Sequence, residues 1–132
     1  MAKKKKATEG LLTAEEILGA DDMSHVDVPV PEWTPNYVDG DEPRKLRIQV
    51  MSAAGAIRFA EAQGDQEKAR DAMVRMVVEC AVDDNGVRIF TEEQIVQLRE
   101  KSFAVFQRLQ EAALVLNGFA TNDAGEEAAK NA

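Results

Sequence analysis

Residues 81–94 read Ala-Val-Asp-Asp-Asn-Gly-Val-Arg-Ile-Phe-Thr-Glu-Glu-Gln, and this stretch predicts a rigid joint between two helices. Asp83 begins a dense turn signal that ends at Gly86, where glycine tolerates the positive φ that a side chain resists. Thr91 fits a helix N-cap, and Gln94 three residues later completes a capping box. The apolar residues between turn and cap are expected to anchor the joint in the core: Val87, Ile89 and Phe90. We therefore interpret Asp83, Gly86, Phe90 and Thr91 as structural residues of the joint.

The joint also invites comparison with a calcium-binding EF-hand loop. Such a loop needs oxygen ligands at its positions 1, 3 and 5, glycine at 6 and glutamate at 12. Aligning Gly86 with position 6 fills three of these positions, with Asp83, Asn85 and Glu92. It also places Ala81 at position 1, where a carboxylate is required. A capped turn therefore explains the stretch better than a metal site.

Composition limits the class of protein. The chain has 132 residues, enough for one domain with its own core. Its 16 Lys and Arg against 24 Asp and Glu give a net charge of −8, which disfavours nucleic acid and anionic membranes as partners. A single cysteine, Cys80, excludes an internal disulfide and suits a reducing cytosol. No apolar run is long enough to span a bilayer. The lysines at 3–6 are not followed by the apolar run that a signal peptide needs. We expect a soluble cytoplasmic protein.

Apolar spacing divides the chain into two extended segments followed by helices. Val26, Val28 and Val30 alternate with polar residues or proline, and a second alternating run follows, with Leu46, Ile48 and Val50. These runs predict an antiparallel hairpin over about 25–51, with its prolines at a sheet edge. Trp33, at the end of the first strand, is interpreted as a lid on the edge of the core, with a partner site as the alternative.

The period changes to helical from residue 52. Ser52 and Asp65 fit N-caps, the second opening a helix that is predicted to run to about Val82. Ser102 is expected to interrupt or kink the last helix, which ends near residue 118. The predicted fold is α+β and mainly helical: an N-terminal antiparallel β-hairpin packed on a C-terminal bundle of about four helices. The domain spans 12–119, between a disordered basic arm at 1–11 and a disordered tail at 120–132.

No residue constellation indicates catalysis. The single histidine, His25, stands alone at the start of a predicted strand, and Cys80 lies on an apolar helix face that predicts packing. No nucleophile–base arrangement or glycine-rich phosphate loop occurs. We expect no enzyme activity, no catalytic or metal site and no cofactor. The residues alone indicate an acidic α+β interaction module.

Several segments, in their order, resemble the tail assembly chaperones of long-tailed, siphovirus-type bacteriophages. The resemblance covers residues 12–119 and rests on Ile17-Leu18, Val30-Pro31-Glu32-Trp33, the basic strand at 44–50, Asp83-x-x-Gly86-x-x-x-Phe90-Thr91, Leu98 and Lys101-Ser102. The chain departs from the family where Thr34-Pro35-Asn36 and a longer acidic loop follow the tryptophan.

The resemblance implies an assembly factor that works in the host bacterial cytoplasm and is absent from the mature virion. Such a protein binds the tape measure protein, keeps it soluble and helps recruit the major tail protein during tail tube assembly. Self-association is a further possibility. Two other functions stay open: a structural virion protein of the tail tube or head–tail joint, and a small regulatory binding protein.

The candidate partner-binding residues are large and apolar. We expect the partner to contact the part of the last helix that the core leaves free, and the candidates are Trp33, Phe103, Phe106, Leu109 and Leu116. The resemblance also implies a longer product made by ribosomal frameshifting near the gene's end. Ala129-Lys130-Asn131 is compatible with the codons GCA-AAA-AAC, which contain the slippery heptamer A-AAA-AAC.

Overall fold

A computed structural model describes residues 10–119 of the chain. The predicted tail at 120–132, the frameshift site within it and most of the predicted N-terminal arm lie outside the described residues. The elements follow one another as α1 (Ala14–Gly19), β1 (His25–Pro29), a 3₁₀ turn (Pro31–Trp33), β2 (Lys45–Gln49), α2 (Ala53–Gln63), α3 (Gln66–Ala69), α4 (Ala72–Cys80), β3 (Ala81–Val82), a 3₁₀ turn (Glu92–Gln94), α5 (Ile95–Leu98) and α6 (Phe103–Leu116). The predicted α+β, mainly helical fold class is confirmed.

The predicted hairpin forms one side of a three-stranded antiparallel sheet in the order β1-β2-β3. Val26 pairs with Ile48, and Val28 pairs with Leu46, so these side chains share one face of the sheet. Val28 and Ile48 are buried on that face in the core, whereas Val26 is 40% exposed. β1 lies at the sheet edge, as its prolines predict. Pro29, the last residue of β1, has no N–H to offer a further strand.

The third strand is not predicted from the sequence. The predicted helix over 65–82 ends at Cys80, and Ala81 and Val82 pair with Ile48 and Arg47 of β2. Both residues are buried, at 0% and 5% exposure. By pairing with β2, they make β2 the central strand of the sheet. Extended backbone at this point satisfies the hydrogen bonds of β2 on its second edge, which a continued helix would leave unpaired.

The predicted helix over 65–82 is also broken near its start. α3 ends at Ala69, and Asp71 takes φ −99° and ψ 23°, outside the helical region. The Asp71 carboxylate accepts two hydrogen bonds of 2.9 Å from the Arg99 guanidinium. This ion pair holds the pKa of Asp71 below its ordinary value, and it ties the start of α4 to the end of α5. The spacing of apolar residues along a helix cannot predict a contact between residues 28 positions apart, so the break at Asp71 was not expected.

The core lies between the sheet, α4 and α6. Its most deeply buried side chains are Ile48, Val77, Cys80, Val105 and Leu109. Asn117 closes the end of α6, as predicted for a C-terminal stop at this position. Its Oδ1 accepts the N–H of Met51 at 2.8 Å, and its Nδ2 donates to the carbonyl of Ala113 at 2.8 Å. The predicted caps at Ser52 and Asp65 are present as well, since each side chain accepts an N–H of the helix that follows. The predicted interruption at Ser102 is confirmed, because α5 ends at Leu98 and Ser102 caps the start of α6.

Candidate protein interaction surfaces

The joint at 81–94 is a small hairpin that extends the sheet. Val82 and Arg88 form an antiparallel bridge, and Gly86 has φ 80°, as the turn signal predicts. Asp83 Oδ1 accepts the N–H groups of Asn85 at 2.8 Å and Val87 at 3.0 Å. These hydrogen bonds lower the pKa of Asp83. The carboxylate thus stabilises its own loop, as expected for a structural turn.

The apolar anchor of the joint is smaller than predicted. Val87 and Ile89 are 59% and 41% exposed, because they follow the turn along the outer edge of β3, on the side away from β2. The prediction that they anchor the joint is wrong. Phe90 is half-buried and packs against the core, so it alone of the three contributes the expected contact. Thr91 caps the next turn, with its N–H donating to Gln94 Oε1 at 2.9 Å.

Two of the predicted partner-binding residues on α6 belong to the core. Phe106 is 2% exposed and Leu109 is 0% exposed, so a partner cannot touch them on the folded chain. Phe103 is 65% exposed, because a step of about 100° per residue places it about 100° from the middle of the buried stripe of α6. Leu116 is half-buried. The candidate surface on α6 is therefore narrowed to Phe103 and Leu116, and their role stays a prediction.

Trp33 lies over the end of the core. Its ring contacts that of Phe106 edge to face, with the centroids 5.5 Å apart and the planes at 67°. Next to it, the Glu32 carboxylate accepts hydrogen bonds of 3.0 and 2.6 Å from Arg108 of α6. The guanidinium lowers the pKa of Glu32 to about 2. Trp33 thus has the position of a lid, with only part of its ring left for a partner.

A groove of about 400 Å³ lies between α2, α4 and the joint. Its cations are paired with acids: Glu79 accepts hydrogen bonds from Arg58 and Arg88, and Arg75 forms an ion pair of 2.9 Å with Glu92. Lys68, the remaining cation of the lining, is offset by the nearby carboxylates Glu61 and Asp65. The groove has no excess positive charge, and it is therefore a poor site for an anionic ligand.

The largest exposed apolar segment within residues 10–119 was not predicted as an interaction surface from the sequence. Every residue from 10 to 22 is exposed, and the four large apolar side chains keep most of their surface: Leu11 77%, Leu12 73%, Ile17 56% and Leu18 85%. We call residues 10–22 the docking arm. In the sequence, two leucines directly precede a capping box, but this pattern does not by itself distinguish an exposed turn from a buried one.

The docking arm has a defined local shape. The Thr13 N–H donates to Glu16 Oε1 at 2.8 Å, and the Glu16 N–H donates to Thr13 Oγ1 at 3.2 Å. This reciprocal capping box opens α1, whose six residues include none that is buried. Leu12 and Ile17 occupy the two positions of a hydrophobic staple across the cap.

Chemistry-bearing groups are few in the described residues. Cys80 is buried, and burial raises its pKa to about 11, so at neutral pH it is an unreactive thiol. Between residues 10 and 119, no three His, Cys, Asp or Glu side chains cluster in a way that could hold a metal ion. Within the same range, no helix has the length and apolar character that crossing a bilayer needs.

Comparison with known proteins gives a similarity in fold but none in sequence family. No family model and no curated protein matches the sequence. Among solved structures, the chain is similar to one described as the structure of the bacteriophage HK97 tail assembly chaperone. The TM-score is 0.54 at 22% sequence identity, and the match covers 88% of this chain and 95% of that chain. The expected resemblance in fold to a tail assembly chaperone is thereby confirmed.

Proposed function

We propose that this protein is a bacteriophage tail assembly chaperone, which binds the tape measure protein and helps recruit the major tail protein as the tail tube forms. The observation that carries the proposal is the shared fold, which extends over 88% of this chain and nearly the whole of the HK97 chaperone. A match of this extent covers most of the domain rather than one common motif.

The surface of the molecule supports a binding function. Large apolar side chains are exposed in the docking arm, on α5 and at the start of α6. Single exposed apolar side chains are common on folded domains, whereas a cluster of them marks an interaction site. The docking arm is such a cluster, with four exposed large apolar side chains between residues 11 and 18. A long helical client such as a tape measure protein presents apolar stripes that aggregate unless an apolar partner covers them.

The proposal extends to the place and time of action. The chain works in the host bacterial cytoplasm and is absent from the mature virion. A longer product, made by frameshifting at codons 129–131, adds a second domain that contacts the tape measure protein. The gene's nucleotide sequence tests this part directly, since synonymous codons without A-AAA-AAC would refute a frameshift at this site.

Co-expression with the tape measure protein of the same phage tests the proposed function. We expect the tape measure protein to be insoluble when expressed alone, and to become soluble and co-purify when the full chain is present. A tape measure protein that gains no solubility and does not co-purify would contradict the proposal. Mass spectrometry of purified particles separates the structural alternative, because a virion protein is present there in many copies and a chaperone is absent.

A further inference from the structure

The docking arm combines exposed apolar side chains with carboxylates. Glu15, Glu16, Asp21 and Asp22 alternate along the chain with the exposed Leu11, Leu12, Ile17 and Leu18. The ion pairs formed within residues 10–119 include none of these four carboxylates. The arm therefore offers an apolar contact with negative charge around it. Within residues 10–119, its apolar side chains stay exposed and no cation pairs with its carboxylates.

We propose that the docking arm binds a basic amphipathic helix of the client. The apolar stripe of that helix covers the leucines and Ile17, and its flanking Lys and Arg face the carboxylates of the arm. The identification of this helix as part of the tape measure protein rests on the proposed function. The chemistry of the partner follows from the arm itself.

The charge distribution selects a basic partner. Residues 10–43 contain nine Asp or Glu and no Lys or Arg, whereas residues 44–119 contain eleven of each sign. Residues 44–119 of a second copy thus have no net positive charge with which to attract the arm. Nucleic acid and anionic lipid are repelled for the same reason. A helix bearing Lys or Arg beside its apolar stripe matches both properties of the arm.

The capping box prepares the arm for this contact. A helix of six residues is too short to persist on its own propensity, because helix nucleation is costly. The two hydrogen bonds between Thr13 and Glu16 satisfy orphan groups at its start and fix the direction of the chain. Preorganisation of this kind reduces the entropy lost on binding.

A synthetic peptide tests the chemistry of the arm. The probe is a fluorescently labelled helical peptide of about 18 residues, long enough for five turns, with leucines on one face and lysines on the others. We expect the full chain to bind it, as measured by fluorescence anisotropy, and to bind a matched peptide with glutamate for lysine at least about tenfold more weakly.

Two sets of variants locate the contact. Leu11→Ser with Leu18→Ser should weaken binding of the lysine peptide by at least about tenfold, since both side chains would be covered in the complex. Val38→Ser with Ile57→Ser is the matched control, because these residues are similarly exposed, at 64% and 58%, but lie outside the docking arm and outside the candidate surface on α6. The control should bind as the unchanged chain does. All four substitutions are at exposed positions, so the melting temperature reports whether the fold is intact.

Three results would overturn the inference. The first is that the arm variant, which carries Leu11→Ser and Leu18→Ser, binds the lysine peptide as tightly as the unchanged chain. The second is equal binding of the lysine and glutamate peptides. The third is that the arm variant binds the peptide unchanged but self-associates differently, as measured by sedimentation without the peptide. That result would identify a second copy of the chain as the occupant of the arm.

Capture of the tape measure protein separates this inference from the proposed function. If the unchanged chain fails to capture it, the proposed function fails, whatever the peptide shows. If the unchanged chain and the arm variant capture it equally, the proposed function stands and the docking arm is not the client site. Loss of capture by the arm variant, but not by the control variant, supports both.

Discussion

Two turns of this chain have nearly the same local sequence and opposite surroundings. In Leu12-Thr13-x-x-Glu16-Ile17 and Phe90-Thr91-x-x-Gln94-Ile95, an apolar residue precedes a threonine cap, and an isoleucine follows the residue that completes the box. Both boxes form. Yet Ile17 is 56% exposed and Ile95 is 3% exposed.

The difference shows that a cap is encoded locally and burial is not. The second turn follows β3, which pairs with β2, and Arg75 holds Glu92 across from α4. These contacts with the sheet and α4 hold the second turn against the domain, so Ile95 lies in the core. No comparable contact buries any residue of the first turn, and all of α1 stays exposed. The first turn is thus left with apolar side chains to offer a partner.

The largest expected effect comes from truncating the two isoleucines. Ile95→Ala should lower the free energy of unfolding by about 2–5 kcal/mol, because it removes buried methyl groups and leaves a cavity. Ile17→Ala should change it by less than about 0.5 kcal/mol, since an exposed side chain loses little contact. Urea denaturation of both variants measures the difference. Equal effects would show that α1 packs on the core in solution.

The two caps give a smaller contrast. Thr91→Ala should destabilise the domain by about 1 kcal/mol, because the cap it removes begins a turn that packs in the core. Thr13→Ala should leave global unfolding unchanged and loosen only α1. Amide hydrogen exchange distinguishes the two, since the first variant speeds exchange throughout the domain and the second only near residues 14–19. A global loss of protection in Thr13→Ala would contradict the independence of the arm.

Much of this fold follows from sequence patterns with a local cause. Alternating valines predict the hairpin, and the caps at Ser52, Asp65 and Thr91 mark helix starts where the structure has them. The sequence misses what depends on distant partners. β3 exists because β2 has a second edge to satisfy, and the break at Asp71 brings that residue to Arg99.

The candidate interaction surface was harder to predict, for the same reason. The apolar period of α6 indicates an amphipathic helix but does not predict which of its apolar residues are buried in the core. Phe106 and Leu109 are buried, and Phe103 is exposed. The docking arm could not be recognised from its own residues, because Leu12-Thr13 and Phe90-Thr91 present the same local pattern. Exposure distinguishes them, and exposure is a property of the whole fold.

The smallest expected effect concerns a contact that, unlike the caps, joins distant parts of the chain. Glu16 bonds within its own turn, whereas Glu32 bonds to Arg108, 76 residues away. The guanidinium lowers the pKa of Glu32 to about 2, from an ordinary value of 4.5. A carboxyl with a lowered pKa in the folded state stabilises that state above its unfolded pKa, and the contribution is lost as the pH falls through the folded pKa.

The stability lost in Glu32→Gln should therefore depend on pH in a defined window. It should be constant above about pH 5, shrink between about pH 4.5 and 2, and vanish below that range. We expect it to be smaller than the effect of Thr91→Ala, because the pair is exposed to solvent and screened by salt. Thermal melts of both chains across this range measure it. The matched control repeats the comparison in an Arg108→Gln background, where the pH dependence should be much reduced because the largest cause of the lowered pKa is gone. A pH dependence that persists undiminished there would mean that the contact between the end of β1 and α6 does not rest on this ion pair.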